Sequence, residues 1–218
     1  MFDLLVLTFA ALSVGMASLA AKSFGCWCAM RAQKREHGEI SPSPYLCEDG
    51  LLHLRFAGII RVSLLAAFFA VALLQKTIVC GIAVFAMGFL AICAIESDVG
   101  YGYIPKELSG LLGIVGLAFQ GADGDSLVFG LGFGFLTAAV SQGLRCLARK
   151  KRGIDIVGGG DIRMMLSLGA ATGFGSLAGF FFCYAFAVLW MLAAKPRKGV
   201  FPMAPFFSVW LLVGLVTS

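Results

Sequence analysis

The sequence predicts an all-α, polytopic membrane protein, and three observations carry this prediction. Of the 218 residues, 60% are hydrophobic and only 13% are charged, far outside the usage of soluble globular domains. Several apolar stretches approach the length of about 20 residues that a helix needs to cross a bilayer. Glycine is abundant, at 28 residues, as is common where membrane helices pack closely. A nucleic-acid-binding surface is not expected, because most Lys and Arg residues lie next to the apolar stretches.

Eight apolar stretches are candidate spans. The clear ones are residues 4–21, 56–74, 77–97, 126–147, 176–194 and 201–217, and the two short ones are residues 108–119 and 162–174. Each short stretch fits a short span, a tilted span or a re-entrant segment. The sequence thus predicts about eight transmembrane helices. It divides the chain into a first helix with a short cytoplasmic loop, residues 1–55, and a membrane-embedded domain, residues 56–218.

Basic residues predict the orientation of these spans. Asp3 precedes the first stretch and Lys22 follows it, the reverse of the order in a signal peptide, so this stretch is expected to be retained. With eight spans and the N-terminus outside, all of the 17 Lys and Arg residues except Lys76 lie in or near cytoplasmic loops. Merging residues 162–194 into one span would move the basic residues at 195–198 outside. Eight spans therefore fit the charges better than seven, and both termini are expected outside.

One carboxylate stands out at the edge of an apolar stretch. Gly158-Gly159-Gly160-Asp161 opens residues 162–174 just after a basic run. A carboxylate at the edge of hydrocarbon is costly, so it marks a candidate functional site, and glycines let the backbone turn tightly beside it. The alternative is that Asp161 is a plain helix N-cap.

A second carboxylate, Asp98, is predicted at the same cytoplasmic face, where residues 77–97 end. Two facing carboxylates cannot both ionise cheaply, so they share a proton, as in aspartic proteases. Helix-end charges then predict that Asp161 is ionised and that Asp98 holds the proton. Glu96 competes with Asp98 as the second acid, and Asp155 competes with Asp161. The alternative is that Glu96 and Asp98 are interfacial charges that end a span, a role that either residue could fill alone.

The seven cysteines indicate no disulfide framework and no strong metal motif. The chain has no Cys-x-x-Cys pair. Cys26, Cys28, Cys47 and His53 form the one conceivable metal set, and a zinc site is not expected from them.

Three motifs in order resemble the type 4 prepilin peptidases. Gly158-Gly159-Gly160-Asp161, followed by Leu168-Gly169-Ala170, is similar to the G-x-G-D motif of that family. Ala94-Ile95-Glu96-Ser97-Asp98 with Pro105 seven positions on resembles the region of the first catalytic Asp, which selects Asp98 over Glu96. Phe201-Pro202-Met203-Ala204-Pro205-Phe206 is similar to the family's Pro-Phe-Gly-Pro segment. The resemblance runs from about Thr77 to the C-terminus.

The resemblance implies an aspartic endopeptidase of the bacterial inner membrane, with Asp98 and Asp161 catalytic and Gly158, Gly160 and Pro105 supporting them. Its substrates would be prepilin or pseudopilin precursors, whose leader is cut at the cytoplasmic face. Family members often also methylate the product with S-adenosylmethionine and carry two Cys-x-x-Cys pairs. The region of residues 23–55 lacks those pairs, so a peptidase without a cofactor is the expectation.

Two alternatives remain open from the sequence. Presenilin-like proteases also use G-x-G-D, but their first Asp lies inside a span, whereas Asp98 ends one. A non-enzymatic scaffold or small transporter of a pilus or secretion system is the other alternative. A transporter would favour charges near mid-bilayer on broken helices, and none of the clear candidate spans has a charge near its centre.

Overall fold

All regular secondary structure in the described part of the chain is helical in the computed structural model, which covers residues 2–38, 40, 50–123, 127–152, 157–194 and 202–217. A 3-10 turn, Gly173–Gly175, joins the sixth helix to the seventh. The α-helices in chain order are α1 Phe2–His37, α2 Gly50–Leu73, α3 Ile78–Tyr101, α4 Lys106–Asp123, α5 Leu127–Arg152, α6 Gly159–Thr172, α7 Ser176–Ala194 and α8 Ala204–Thr217.

Contacts between helix termini define one end of the bundle, which we call the Asp98 end. The helix α3 finishes there, and the backbone amide of Ala204, at the start of α8, donates a hydrogen bond to Asp98. Gly160, at the start of α6, packs on Ile104, just before α4 begins. Three helices therefore start at the Asp98 end, and α3 reaches it with its C-terminus.

The chain reverses direction between α6 and α7. Gly175 and Gly179 of α7 approach Gly214 and Trp210 of α8, so these two helices run antiparallel. Thr172, at the end of α6, also packs on Gly214. Because α8 starts at the Asp98 end, α6 leads away from that end and α7 leads back toward it. The reversal falls at Gly173, whose φ of 49° is open to glycine at little cost.

Three stretches of the described residues are long and apolar enough to cross a membrane: Ile78–Tyr101, Leu127–Lys151 and Gly159–Trp190. The last of these contains α6 and most of α7. Helices α6 and α8 have 14 residues each, or ~21 Å at 1.5 Å per residue, less than the ~30 Å of a hydrocarbon core. The structure therefore supports a membrane protein but does not support eight full spans.

Two helices extend beyond the apolar stretches that predicted them. The cytoplasmic loop expected at residues 23–55 is helical over much of its length, because α1 continues to His37 and α2 begins at Gly50. Helix-forming residues follow Gly25 without a proline, so nothing in that segment stops the helix. Likewise α3 continues past residue 97 to Tyr101, which places Asp98 inside its last turns.

Small residues bring α6 close to its neighbours. Gly130 and Gly134 of α5 lie against Gly169, where a Cβ on Gly169 would stand 2.5 Å from the Cα of Gly134. This contact is an instance of the close helix packing expected from the abundance of glycine. On the other side, Gly116 of α4 packs on Ala171, and the Gln120 side chain donates to the Ala171 carbonyl at 3.1 Å. The C-terminal part of α6 is thus held between α4 and α5.

Candidate active site

Three helix termini form the candidate site. Asp98 lies in the last turns of α3, and its backbone carbonyl accepts a 2.7 Å hydrogen bond from Gly102, which ends the helix with a φ of 62°. Asp161 lies in the first turn of α6. The start of α8, at Ala204, completes the group. Helix N-termini carry partial positive charge, so two of the three termini favour nearby carboxylates.

Asp98 is buried, with 6% of its surface exposed. Its Oδ2 accepts a hydrogen bond from the backbone amide of Ala204 at 2.9 Å, and the Met203 amide is a second backbone donor to this carboxyl group. Asp98 therefore caps α8 from another helix. The Pro202-Met203-Ala204 segment, noted in the sequence without a role, supplies these donors.

Asp161 is partly buried, and its side chain folds back over the start of its own helix. The backbone amide of Gly158 donates to its Oδ2 at 3.1 Å. Gly158 is the N-cap residue, and Asp161 is the third residue of the helix. The plain N-cap interpretation is therefore incorrect in position, although one oxygen of Asp161 does satisfy an amide at the helix start.

Asp98 and Asp161 lie at the same end of the bundle. The two carboxyl groups are close enough to interact electrostatically, although they belong to different helices. Tyr184 of α7 is also within electrostatic range of Asp161. Tyr184 was not predicted as a site residue, because a single tyrosine in an apolar helix carries no motif signal.

The two glycines of the G-x-G-D motif are explained by what fills the space beside them. A Cβ on Gly158 would stand 2.9 Å from Oδ2 of Asp161, so a side chain there would displace the carboxylate. A Cβ on Gly160 would stand 3.1 Å from the Cβ of Ile104 and 3.2 Å from its carbonyl oxygen. The motif thus leaves room for the Asp161 carboxylate on one side and for the α3–α4 linker on the other.

Pro105 fixes that linker at the start of α4. Its carbonyl accepts hydrogen bonds from the amides of Leu108 at 3.1 Å and Ser109 at 3.3 Å. Proline suits this position because its own amide is not needed at a helix start. Pro105 therefore holds Ile104 against Gly160, and it is a supporting residue by geometry.

Glu96, the competing second acid, is paired elsewhere. Its Oε1 lies 2.5 Å from Nη1 of Arg61 on α2, with both side chains about one-eighth exposed, at 13% and 12%. The Arg61 Nε also donates to Ser18 of α1 at 3.1 Å. Glu96 therefore joins α1, α2 and α3 instead of facing Asp161. Asp155, the other competing acid, lies outside the described residues.

A polar network joins the end of α1 to the α3–α4 linker. The hydroxyl of Tyr103 donates to Glu36 at 2.7 Å, and Arg35 pairs with Glu107 at 2.7 Å. Burial, followed by the hydrogen bond to Glu36, raises the pKa of Tyr103 to about 12. The same hydrogen bond lowers the pKa of Glu36 below its usual value. The network holds the linker that covers the start of α6.

The proton assignment expected from helix ends alone does not follow from the structure. That expectation considered only the C-terminus of α3, which disfavours charge on Asp98. The start of α8 donates backbone hydrogen bonds to the same carboxyl group, which opposes the effect of α3. Which aspartate carries the proton is therefore not set by the ends of α3 and α6.

No group of three or more His, Cys, Asp or Glu side chains that could hold a metal ion occurs within the described ranges. Cys26 and Cys28 lie on α1. Cys47 and the side chain of His53, the other members of the conceivable metal set, lie outside the described part.

No family model, curated protein or solved structure matches the chain. Its function is therefore inferred from the chemistry that Asp98 and Asp161 can perform.

Proposed function

We propose that this chain is an intramembrane-type aspartic endopeptidase in which Asp98 and Asp161 activate water. The observation that carries the proposal is the convergence of these two carboxyl groups from separate helices, each with Oδ2 held by a backbone amide. A purely interfacial charge does not need burial or an amide donor from a helix that lies much later in the chain.

The proposed reaction is hydrolysis of a peptide bond. The ionised aspartate takes a proton from water, and the water oxygen attacks the scissile carbonyl carbon. The protonated aspartate gives its proton to the carbonyl oxygen. Collapse of the tetrahedral intermediate breaks the C–N bond, and the amine leaves with the proton taken from water. One hydroxyl proton of the intermediate returns to the other aspartate as the new carboxyl group forms. No metal or organic cofactor takes part, and S-adenosylmethionine would be needed only if the chain also methylates its product.

Prepilin or pseudopilin precursors are the proposed substrates, on the strength of the motif resemblance. Their leader would lie in the cytoplasm and their apolar helix in the bilayer, so the cut would fall at the boundary. The position of the candidate site at one end of an apolar helical bundle supports such a boundary cut.

We propose that the Asp98 end faces the cytoplasm of a bacterium and that the protein resides in the inner membrane. Support comes from the basic residues, which favour the cytoplasmic side. Arg35, Lys106 and Arg163 lie on segments at the Asp98 end, whereas Lys76 lies in the turn between α2 and α3, at the other end. Both termini would then lie outside, since α1 ends and α8 begins at the Asp98 end.

The test is cleavage of a co-expressed pilin-like precursor in membranes, followed as a size shift on a gel. The wild type is expected to cut. Asp98→Asn and Asp161→Asn are each expected to lose at least about 100-fold in rate, since an Asn side chain cannot act as a general acid or base. Asn keeps an oxygen acceptor for the backbone amide. Glu107→Gln is the matched control, because Glu107 is an exposed carboxylate at the same end of the bundle.

Normal cleavage by either Asn variant would remove that aspartate from the chemistry. Failure of the wild type on several precursors, with the protein present in the membrane, would favour a non-enzymatic scaffold or transporter of a pilus or secretion system.

A further inference from the structure

Tyr184 introduces a hydroxyl into an otherwise apolar part of α7. Its ring is partly buried and packs against the core, with its centroid 4.6 Å from that of Phe180 one turn earlier. This contact orients the ring independently of the hydroxyl. A polar group in such surroundings is costly unless it finds a hydrogen-bond partner.

The register of α7 on α8 places Tyr184 at the level of the candidate site. Gly175 meets Gly214 and Gly179 meets Trp210, so each step along α7 matches an equal step back along α8. Continuing this register to Tyr184 reaches the first turn of α8. Ala204 starts that turn and donates to Asp98. Helix geometry therefore places Tyr184 beside the two aspartates, in agreement with its electrostatic interaction with Asp161.

At this level of the bundle, two complementary groups lack hydrogen bonds. Within the described part of the chain, the Tyr184 hydroxyl has no hydrogen-bond partner, and Oδ1 of Asp161 has none either, whereas Oδ2 is held by Gly158. A phenol is a donor, and a carboxylate oxygen is an acceptor. Hydrogen bonds at catalytic carboxylates are often long in the free enzyme and shorten in the working complex.

We propose that Tyr184 is a positioning residue whose hydroxyl donates to Oδ1 of Asp161 while the Gly158 amide holds Oδ2. With both oxygens held, the carboxylate cannot rotate away from the water that it activates. The catalytic consequence rests on the proposed peptidase function, but the contact itself does not.

The kinetic test is Tyr184→Phe, which keeps the ring and its packing on Phe180 and removes only the hydroxyl. The expected result is about a 10-fold lower kcat, the effect of losing one hydrogen bond to a charged group, with KM changed less than 2-fold. Thr217→Val is the control, because it also removes one hydroxyl, at the end of α8 away from Ala204, and it is expected to keep kcat. An unchanged kcat in Tyr184→Phe, or a raised KM alone, would overturn the proposal.

A second test does not depend on activity. Tyr184→Phe is introduced into the wild type and into Asp161→Ala, and the thermal midpoint of each purified protein is measured in detergent. A drop of about 2–4 °C is expected in the wild type and no further drop in Asp161→Ala. Equal drops in both backgrounds would disprove the contact. If the wild type fails to cleave precursors while Tyr184→Phe lowers the thermal midpoint only in the wild-type background, the peptidase function is rejected and the contact stands.

Discussion

The backbone amide of Ala204 donates a 2.9 Å hydrogen bond to Oδ2 of Asp98, across 106 positions of sequence. Asp98 therefore has two roles in the proposed enzyme, as one of the two reacting carboxyl groups and as the cap of α8. The roles are separable, because capping needs an oxygen acceptor whereas the chemistry needs an exchangeable proton.

Substitutions at Asp98 should separate those roles. Asp98→Ala leaves the Ala204 amide buried without its acceptor, so we expect a loss of about 1 kcal/mol in the free energy of unfolding. Asp98→Asn should lose clearly less, because its oxygen can still accept the bond. Both variants should be inactive. Denaturation in detergent micelles measures the difference, and equal stability of the two variants would argue against the cap.

Gly158→Ala should damage activity more than stability. Its new Cβ would stand 2.9 Å from Oδ2 of Asp161, so the carboxylate must move. The φ of −67° at Gly158 suits alanine, and the fold should tolerate the change. We expect at least about a 10-fold lower rate of cleavage, because small displacements of reacting groups are costly.

The control for this substitution is Gly132→Ala on α5, where an added Cβ meets open space. It should cleave at the wild-type rate. Its thermal midpoint should be unchanged or slightly higher, since alanine favours a helix over glycine by about 1 kcal/mol. Wild-type activity in Gly158→Ala would show that the observed Asp161 orientation is not needed.

Removal of Arg61 alone should be more damaging than removal of the Arg61–Glu96 pair. Arg61→Met leaves Glu96 nearly buried without its cation, and we expect a loss of about 3 kcal/mol in the free energy of unfolding. The double variant Arg61→Met with Glu96→Met should recover most of that loss. Unfolding in detergent compares the variants, with Arg35→Gln as a control because the Arg35–Glu107 pair is exposed.

The same double variant tests whether Glu96 is the second acid. It is expected to keep cleaving as long as it folds, because the structure pairs Glu96 with Arg61 and not with Asp161. Loss of cleavage in a stably folded double variant would contradict this expectation.

The Tyr103–Glu36 hydrogen bond should make stability depend on pH at both extremes. The pKa of Glu36 is lowered by this bond, so its contribution is present above the ordinary pKa of 4.5 and is lost as pH falls through the lowered value. The pKa of Tyr103 is raised from 10.0 to about 12. Its contribution is therefore present below pH 10 and is lost as pH rises toward 12.

Thermal unfolding of the wild type and of Tyr103→Phe across this pH range measures the effect. The wild type should be more stable by about 0.5–1 kcal/mol at neutral pH, a small value because Glu36 is exposed. In Glu36→Gln, stability should depend less on pH in the acidic range. A wild-type advantage that persists unchanged at pH 3 would exclude the bond as its source.

The helices and the approximate site were predictable because their signals are local. Apolar runs predicted α7 at residues 176–194, and the structure gives Ser176–Ala194. The G-x-G-D pattern by itself marks Asp161 as a candidate site residue. Carboxylates at the edges of apolar stretches stand out because hydrocarbon makes them costly.

The partners of these residues were not predictable from local pattern. The Ala204 amide reaches Asp98 only because α8 packs against α3, and Arg61 pairs with Glu96 because α2 turns back on α3. Such contacts depend on which helices become neighbours. The number of full spans was overstated because short apolar stretches, such as residues 162–174, were counted as spans to fit the distribution of basic residues.

The position of α8 has a consequence for biosynthesis. Asp98 leaves the ribosome well before Asp161, and the amides of Met203 and Ala204 come later still. Until α8 inserts against α3, one of the two carboxyl groups lacks the backbone donors that hold it. A partly translated chain therefore contains both aspartates without the complete site, and under the proposed function nascent protein at the insertion machinery would not cleave its membrane neighbours.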